Sequence, residues 1–343
     1  MYKPKFTITP NITRSIEQIT HLLIEFKHLE IPYNYRKEYI EKINAEIVHS
    51  STAIEGNTLT IEQVEKVIRG EVIHAIPEEI IEVRNYNSAI KYLSEIDQSN
   101  LPIRDADIRQ IHSLVIANTS KSYDAGKYRD IQVVVGKYTP PSSYDIPALM
   151  EEFIKWLRAP QVYSTFLLAG IAHYRFVEIH PFIDGNGRTT RLLTKLILIK
   201  NGYDIRQYFS LESFYNKDRK RYYEALESAN READLTQWLE YFLDGLIIQA
   251  ENAKARIIEL IDMKAIDTSI RLNKNQVKLL KYFNSHRNIS RKEYMKISGL
   301  SKSGAVNDLN NLIDLGFINK AGESKATIYT VLEKGKLYLS EKG

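Results

Sequence analysis

Along the first 265 residues apolar positions recur at spacings of three and four, the period of helices with one buried face. Ile16, Ile19, Leu22, Leu23 and Phe26 mark the first such segment, from about Ile12 to Glu30, before Pro32 stops it. A second runs from about Tyr35 to Ala53 and ends near Gly56-Asn57. Thr60 with Gln63 three residues on is a capping-box signature, opening a short helix that closes at Gly70. The same period predicts helices over 78–96, 105–118, 145–157, 161–178, 187–201, 210–228 and 234–262. One stretch breaks it. Asp130 to Thr139 is β-branched and rich in strand formers, then meets Pro140-Pro141, and reads as a short strand or hairpin within a helical domain.

Periodicity lapses over 263–274, which places a linker there. Beyond it, helices are expected over 275–285, 290–299 and 301–315, the second opened by a Ser290/Glu293 capping box and the third closed by Gly316. Strands over 317–320 and 327–332, joined by a turn at 321–326, complete a pattern that resembles a winged helix-turn-helix. The expected organisation is an N-terminal helical region (1–100), a core with flanking helices (101–262), the linker and a module at 275–343. The fold class is mainly α, with a small β-hairpin in the helical part and an α+β module after it.

Composition changes this picture in two places. The chain of 343 residues, 43% apolar and 26% charged, is long enough to bury a large core without staples. It has no cysteine, which excludes zinc fingers, iron–sulfur clusters, thiol catalysis and disulfides. The net charge of +4 hides a division: residues 271–343 hold 14 basic and 6 acidic residues, the first 270 hold 33 and 37. A body of −4 beside a module of +8 raises the question of nucleic acid. The N-terminus lacks an apolar core of signal-peptide length, and the longest apolar run, Phe166 to Ala172, is far short of the ~20 residues a membrane helix needs. The expectation is a cytoplasmic protein with no membrane partner.

The chemistry concentrates in His180-Pro-Phe-Ile-Asp184-Gly-Asn-Gly-Arg188-Thr-Thr-Arg191. Pro181 disfavours helical geometry at His180, so a helix should end there and a loop begin. Gly185 and Gly187 tolerate dihedrals that other residues resist and leave their N–H groups bare. Arg188 to Lys200 is helical, with Leu192, Leu193, Leu196 and Ile199 as its buried side. Gly185, Asn186 and Gly187 then sit at a helix N-terminus, a place for phosphate. Arg188 and Arg191, three apart, share a face and suit bidentate contacts to phosphate oxygens. Asp184 suits a hard divalent cation such as Mg²⁺, and His180 suits a general base near neutral pH. Each part alone has a plain structural explanation; together they describe a site for nucleotide phosphates.

Together, too, they resemble the signature of the Fic (filamentation induced by cAMP) family, His-Pro-Phe-x-Asp/Glu-Gly-Asn-Gly-Arg-x-x-Arg, with every defined position filled. Upstream, Gly126-Lys-Tyr-Arg129, Gln132-Val-Val-Val135, Tyr138-Thr-Pro-Pro141 and Leu149-Met150 look like the family's flap hairpin and following helix. Ser51-Thr-Ala-Ile-Glu55-Gly56 matches the family's inhibitory motif, although a plain helix C-cap at Gly56 accounts for it equally in form.

The resemblance implies a self-inhibited protein adenylyltransferase. His180 would deprotonate a Ser, Thr or Tyr hydroxyl of a target protein, which attacks the α-phosphate of ATP. Asp184 would hold Mg²⁺, while Gly185, Asn186, Gly187, Arg188 and Arg191 would bind the phosphates. Phe182 would pack inward and steady the loop. Glu55, with Ser51 and Gly56, would inhibit by pairing with Arg191, and some family members use this glutamate to remove AMP. Gln132, Val133, Val134 and Val135 would dock the target as an added strand. His173, seven residues before His180, is expected to face the core rather than pair with it on a metal. The alternative is a DNA-binding regulator in which the Fic site modifies the protein itself or removes AMP. Its DNA contacts would come from 275–343, with Ser301, Lys302, Ser303 and Asn307 on the recognition helix and Lys320 or Lys325 on the wing, against the acidic Asp308 and Asp314. A homodimer is open as well, with the Tyr-rich helices of 210–243 offering a face.

Overall fold

Thr9 opens the first helix, α1 (Pro10–His28): its hydroxyl accepts from the Ile12 N–H, and Pro10 fills a first-turn position that needs no donor. The computed structural model describes residues 2–29, 31, 33–98, 101–160, 162–269, 272–322, 327–332, 335 and 338. After α1 come α2 (Tyr33–Ile54), α3 (Ile61–Ile68), α4 (Pro77–Gln98), α5 (Asp105–Ile116), α6 (Ile146–Arg158), α7 (Thr165–Ile179) and α8 (Asn186–Lys200), each within a few residues of the span its period predicts. The Thr60 capping box forms, with Gln63 N–H donating to the hydroxyl and Thr60 N–H to the Gln63 side chain.

Two spans differ from expectation. The helix expected over 210–228 is broken into α9 (Leu211–Lys217) and α10 (Arg219–Glu232) at Asp218, whose carboxylate accepts from Arg221 N–H and caps the second piece. The last helix of this series, α11 (Thr236–Ser269), runs on through 263–269, where a linker was expected. A lapse in apolar period removes a buried face but not intrinsic helicity, and Met263, Lys264 and Ala265 are good helix formers.

The chain forms two units, Met1–Glu30 with Arg36–Arg256, and Ile31–Tyr35 with Ile257–Gly343. In the first, α7 and α8 pack closely at the centre. The amphipathic face expected of α8 proves too narrow a description. Leu192, Leu193, Leu196, Ile197, Leu198 and Ile199 are buried, and so are Arg191, Thr194 and Lys195. Each buried leucine or isoleucine contributes about 2 kcal/mol, so the helix is held firmly enough to position polar groups. Lys195 is ion-paired with the equally buried Glu212, to which Tyr86 also donates.

The tyrosines described over 210–243 are mostly buried within the unit. Tyr215, Tyr222 and Tyr241 are buried against one another and Trp238; Tyr223 alone of the tyrosines described there is substantially exposed. His173 belongs to the same core, its Nδ1 bonded to the Thr194 hydroxyl and Nε2 to the Tyr222 hydroxyl, both at 2.9 Å.

The second unit holds α12 (Lys274–Tyr282), β1 (Ile289–Ser290), α13 (Arg291–Ser298), α14 (Lys302–Asp314), β2 (Ile318–Ala321) and β3 (Ile328–Val331). The strands form an antiparallel sheet in the order β1-β3-β2, with Ile289 opposite Tyr329 and Ile318 opposite Val331. Its core is Leu279, Leu280, Ile289, Tyr294, Ala305, Leu309, Leu312, Phe317, Ile318, Tyr329 and Tyr338. The short β1 was not expected. Ser290 both ends that strand and caps α13 in the Ser290/Glu293 box. Lys325 lies outside the described residues. No described helix is long and apolar enough to cross a membrane.

Candidate active site

The chain leaves α7 at His180 in the left-handed region, with φ 50° and ψ 59°. That conformation is costly for a residue with a Cβ, and Arg129 is built around it. Buried Arg129 donates from Nε to the His180 carbonyl at 2.8 Å, and its backbone N–H donates to the Pro181 carbonyl at 2.9 Å. His180 Nδ1 is buried with no well-formed hydrogen bond among the described residues, and the ring interacts with the Val177 backbone. Burial pushes the imidazole down to about 4, so it is neutral, able to accept a proton, over the ordinary working range.

The loop that follows is stapled from within. Asn186 Oδ1 accepts from Phe182 N–H, and Asn186 Nδ2 donates to the Phe182 carbonyl at 2.8 Å. The Asn186 side chain is therefore engaged by the loop, and only its backbone N–H faces the helix start. Phe182 is buried, as expected, with its ring stacked on His112 at 3.6 Å between centroids. His112 in turn accepts from Gly126 N–H at Nδ1, which leaves the Nε2 proton to donate to the Asp184 carbonyl at 3.0 Å.

Gly185 starts α8 with φ 75°, and a Cβ there would press on Ile116 and His112. The first-turn N–H groups of Asn186, Gly187 and Arg188 have no intrahelical acceptor, which makes the turn an anion nest. A carboxylate already lies against it. A Cβ on Gly187 would collide with Glu55 Oε1, so the glutamate sits directly over this residue.

Glu55 arrives from the turn that ends α2. Arg191 Nη2 donates to Glu55 Oε1 at 2.8 Å and to the Ser51 carbonyl at 2.9 Å, while Arg191 Nε donates to Ser51 Oγ at 2.8 Å. Gly56 adopts φ 103° and its N–H returns to the Ala53 carbonyl, so the C-cap reading and the arginine contact hold together. Arg188 is buried as well, and its Nη1 donates to Glu82 Oε1 at 2.9 Å. Both arginines thus carry a carboxylate partner from an earlier helix or turn.

Asp184 is about one-third exposed, its Oδ1 accepting from Gly185 N–H at 2.7 Å and its Oδ2 lying 3.0 Å from Lys121 Nζ. Burial would raise its pKa, but Arg188, Lys121 and the Gly185 N–H outweigh burial and hold it below the usual carboxylate range. It is an ionised carboxylate whose outer oxygen already attracts the Lys121 ammonium. Among the described residues no cluster of three His, Asp or Glu surrounds it. That fits magnesium in its shared mode, with one carboxylate and the rest of the shell from phosphates and water.

The flap is a hairpin in outline only. Val135 and Tyr138 exchange both backbone bonds across Gly136-Lys137, the single bridge in this stretch, and side chains hold the rest. Arg129 donates to the Ile131 and Pro141 carbonyls, Gln132 to the Pro140 carbonyl. Ile131, Val134 and Val135 are exposed, and Val133 is half-buried.

Sequence reasoning missed His112, Glu82 and Lys121. His112 carried a signal, being the polar residue among Ile108, Ile111, Val115 and Ile116 on the apolar face of α5. Glu82 and Lys121 carried none, because nothing local separates them from solvated charges.

Residues 102–198 match the model of the Fic/DOC family. The chain is 35% identical over 201 residues to a protein adenylyltransferase Fic of Nematostella vectensis, covering 57% of this chain and 45% of the relative, and 34% identical to one of Drosophila grimshawi, covering 57% and 40%. It therefore spans under half the length of these curated relatives. A Fic family protein of Desulfovibrio desulfuricans G20 superposes with a TM-score of 0.67 at 26% identity, covering 97% of this chain and 99% of that one. Fic-1 of C. elegans superposes with a TM-score of 0.61 at 27% identity, covering 71% and 72%. Residues 102–198 thus match a Fic domain, the family whose signature the stretch His180 to Arg191 resembles.

Proposed function

We propose that the protein is a self-inhibited adenylyltransferase that moves AMP from ATP to a Ser, Thr or Tyr hydroxyl of a target protein. One observation carries the reading: a neutral, buried imidazole opens the loop that leads into an anion nest with two buried arginines. His180 accepts the proton of the target hydroxyl as its oxygen attacks the α-phosphorus. The bond from that phosphorus to the bridging oxygen breaks and pyrophosphate leaves, so one P–O bond forms and one is lost. The N–H groups of the α8 first turn and the guanidinium of Arg188 stabilise the phosphate charge, and His112 and Asn186 fix the loop that carries them. Asp184 is the residue that would hold magnesium, which when bound neutralises phosphate charge. The exposed edge of the flap, Ile131 to Val135, aligns the target segment.

Inhibition follows from charge. Glu55 puts a carboxylate against Gly187 and Arg191, the place and the partner that a terminal phosphate of ATP requires. Like charges exclude each other there, and Arg191 is neutralised. The Glu55→Gly variant is expected to raise AMP incorporation from α-labelled ATP at least tenfold, and His180→Ala added to it to abolish labelling. Equal labelling by wild type and Glu55→Gly overturns the inhibitory part; labelling that survives His180→Ala overturns the mechanism.

The second reading, a DNA-binding regulator, is favoured by one feature of α14. Asp308 is not a free surface charge: its carboxylate accepts from Tyr294 O–H at 2.7 Å and from Asn273 Nδ2 at 2.8 Å. Lys302, Ser303 and Asn307 are exposed near the start of that helix, and Lys320 is exposed on β2, a layout compatible with a winged helix.

A further inference from the structure

Two residues beyond Glu55, the same turn reaches the other motif arginine. Buried Asn57 donates from Nδ2 to Glu82 Oε2 at 2.9 Å and to the Glu79 carbonyl at 3.1 Å. Thr58 pins the turn again, its N–H and hydroxyl both donating to Glu79 Oε1, at 2.7 and 2.8 Å. The other oxygen, Glu82 Oε1, accepts from Arg188 Nη1 at 2.9 Å. The Arg188 side chain is only 4% exposed; its Nη2 stands 3.6 Å from Asp184 Oδ2, and its Nε has no acceptor among the described residues.

A carboxylate with both oxygens free takes a guanidinium through two parallel bonds. Asn57 engages one oxygen here, so Glu82 holds Arg188 at a single nitrogen and fixes the direction of its guanidinium. Without Glu82, a guanidinium this buried would have only a distant counter-charge and no fixed direction. We propose that Glu82 is a positioning residue for phosphate binding, and that the turn 55–58 acts in two opposed ways. Glu55 withdraws Arg191 from the nucleotide, whereas Asn57, through Glu82, presents Arg188 to it. The proposal rests on reading the site as one for a nucleotide. Its consequence is that losing the Glu55 carboxylate and losing the turn are different events, because the second also removes the support of Arg188.

The test uses the full chain carrying Glu55→Gly, with Glu82→Gln and Asn57→Ala added singly and together. ATP affinity is measured by calorimetry, KM and kcat by AMP transfer, and melting temperature in parallel. Glu82→Gln is expected to weaken ATP about tenfold, in KM rather than kcat, the size of one misdirected charge-assisted bond. Asn57→Ala is expected to weaken it about threefold by the same route. The double variant should be no weaker than Glu82→Gln alone, and Glu82→Asp, which keeps the charge, should recover part of the loss. Unchanged ATP affinity in Glu82→Gln, a fall in melting temperature alone, or losses that multiply in the double variant each overturn the proposal. Should the Glu55→Gly parent neither bind ATP nor transfer AMP, the nucleotide reading falls and takes this one with it.

Discussion

At the scale of single residues, burial of neutral histidines shapes the site. His112 and His180 are each pushed down to about 4, in both by burial first, and enclosed His173 is lowered well below its usual value for the same reason. An unfolded imidazole takes up its proton near 6.5. Between that pH and about 4 the unfolded chain binds protons that the folded chain refuses, so stability is complete above 6.5 and falls as pH drops through this window. Melting temperature should therefore be level from pH 8 to 7 and decline toward pH 4.5. His112→Phe keeps the ring against Phe182 but leaves the Gly126 N–H and the Asp184 carbonyl unpaired, at a cost of about 2 kcal/mol at neutral pH. It also removes one titrating group, so its melting temperature should depend less on pH than that of the parent. A slope as steep as the parent's would mean that His112 titrates normally in the fold.

At the scale of elements, the flap has one backbone bridge, and Arg129 joins it to the His180 loop. A hairpin with one bridge is marginal by itself. Arg129 bonds one carbonyl on each side of it, Ile131 and Pro141, and the His180 carbonyl besides. Lysine has the charge but not the planar fork, and cannot serve three carbonyls in these directions. In the Glu55→Gly background, Arg129→Lys should raise KM for the target protein about tenfold while ATP affinity stays within twofold. A loss confined to ATP would show that Arg129 serves the nucleotide side instead. This element also marks what was legible in the sequence. The loop at His180 was readable because Pro181 restricts the residue before it and Gly185 takes a positive φ, and the helices because their period is local. Gly187 is ordinary helix, and what it provides is room for Glu55. The flap's strand formers were readable too, but strand formers without a neighbouring strand yield one bridge. The break at Asp218 was missed because a side-chain cap overrode an apolar period that continued past it. Glu82 was missed because a glutamate on a helix shows its role only when a residue 106 positions away packs on it.

At the scale of the whole molecule, the charge division is what the DNA-binding reading rests on. The first 270 residues carry −4, while the segment over 271–343 carries an excess of eight cations, the sign that phosphate contacts require. The acidic residues on α14 do not cancel that excess. Asp308 is held by Tyr294 and Asn273, and Asp314 lies about 18 Å from Lys302 along the helix, at the end away from the exposed Lys302, Ser303 and Asn307. If the start of α14 enters a DNA groove, Lys302 and Lys320 contact phosphate, and each such contact adds about 0.9 to the slope of log affinity against log salt. The full chain should then shift duplex DNA at low salt, and Lys302→Glu with Lys320→Glu should flatten that slope by about 2. Neither lysine belongs to the Fic domain, so AMP transfer in the Glu55→Gly background should be unchanged by the pair. Absence of a shift at about 50 mM salt removes the DNA reading. A shift whose salt slope ignores both lysines moves the contact to another face of the module, and leaves α14 to a protein partner.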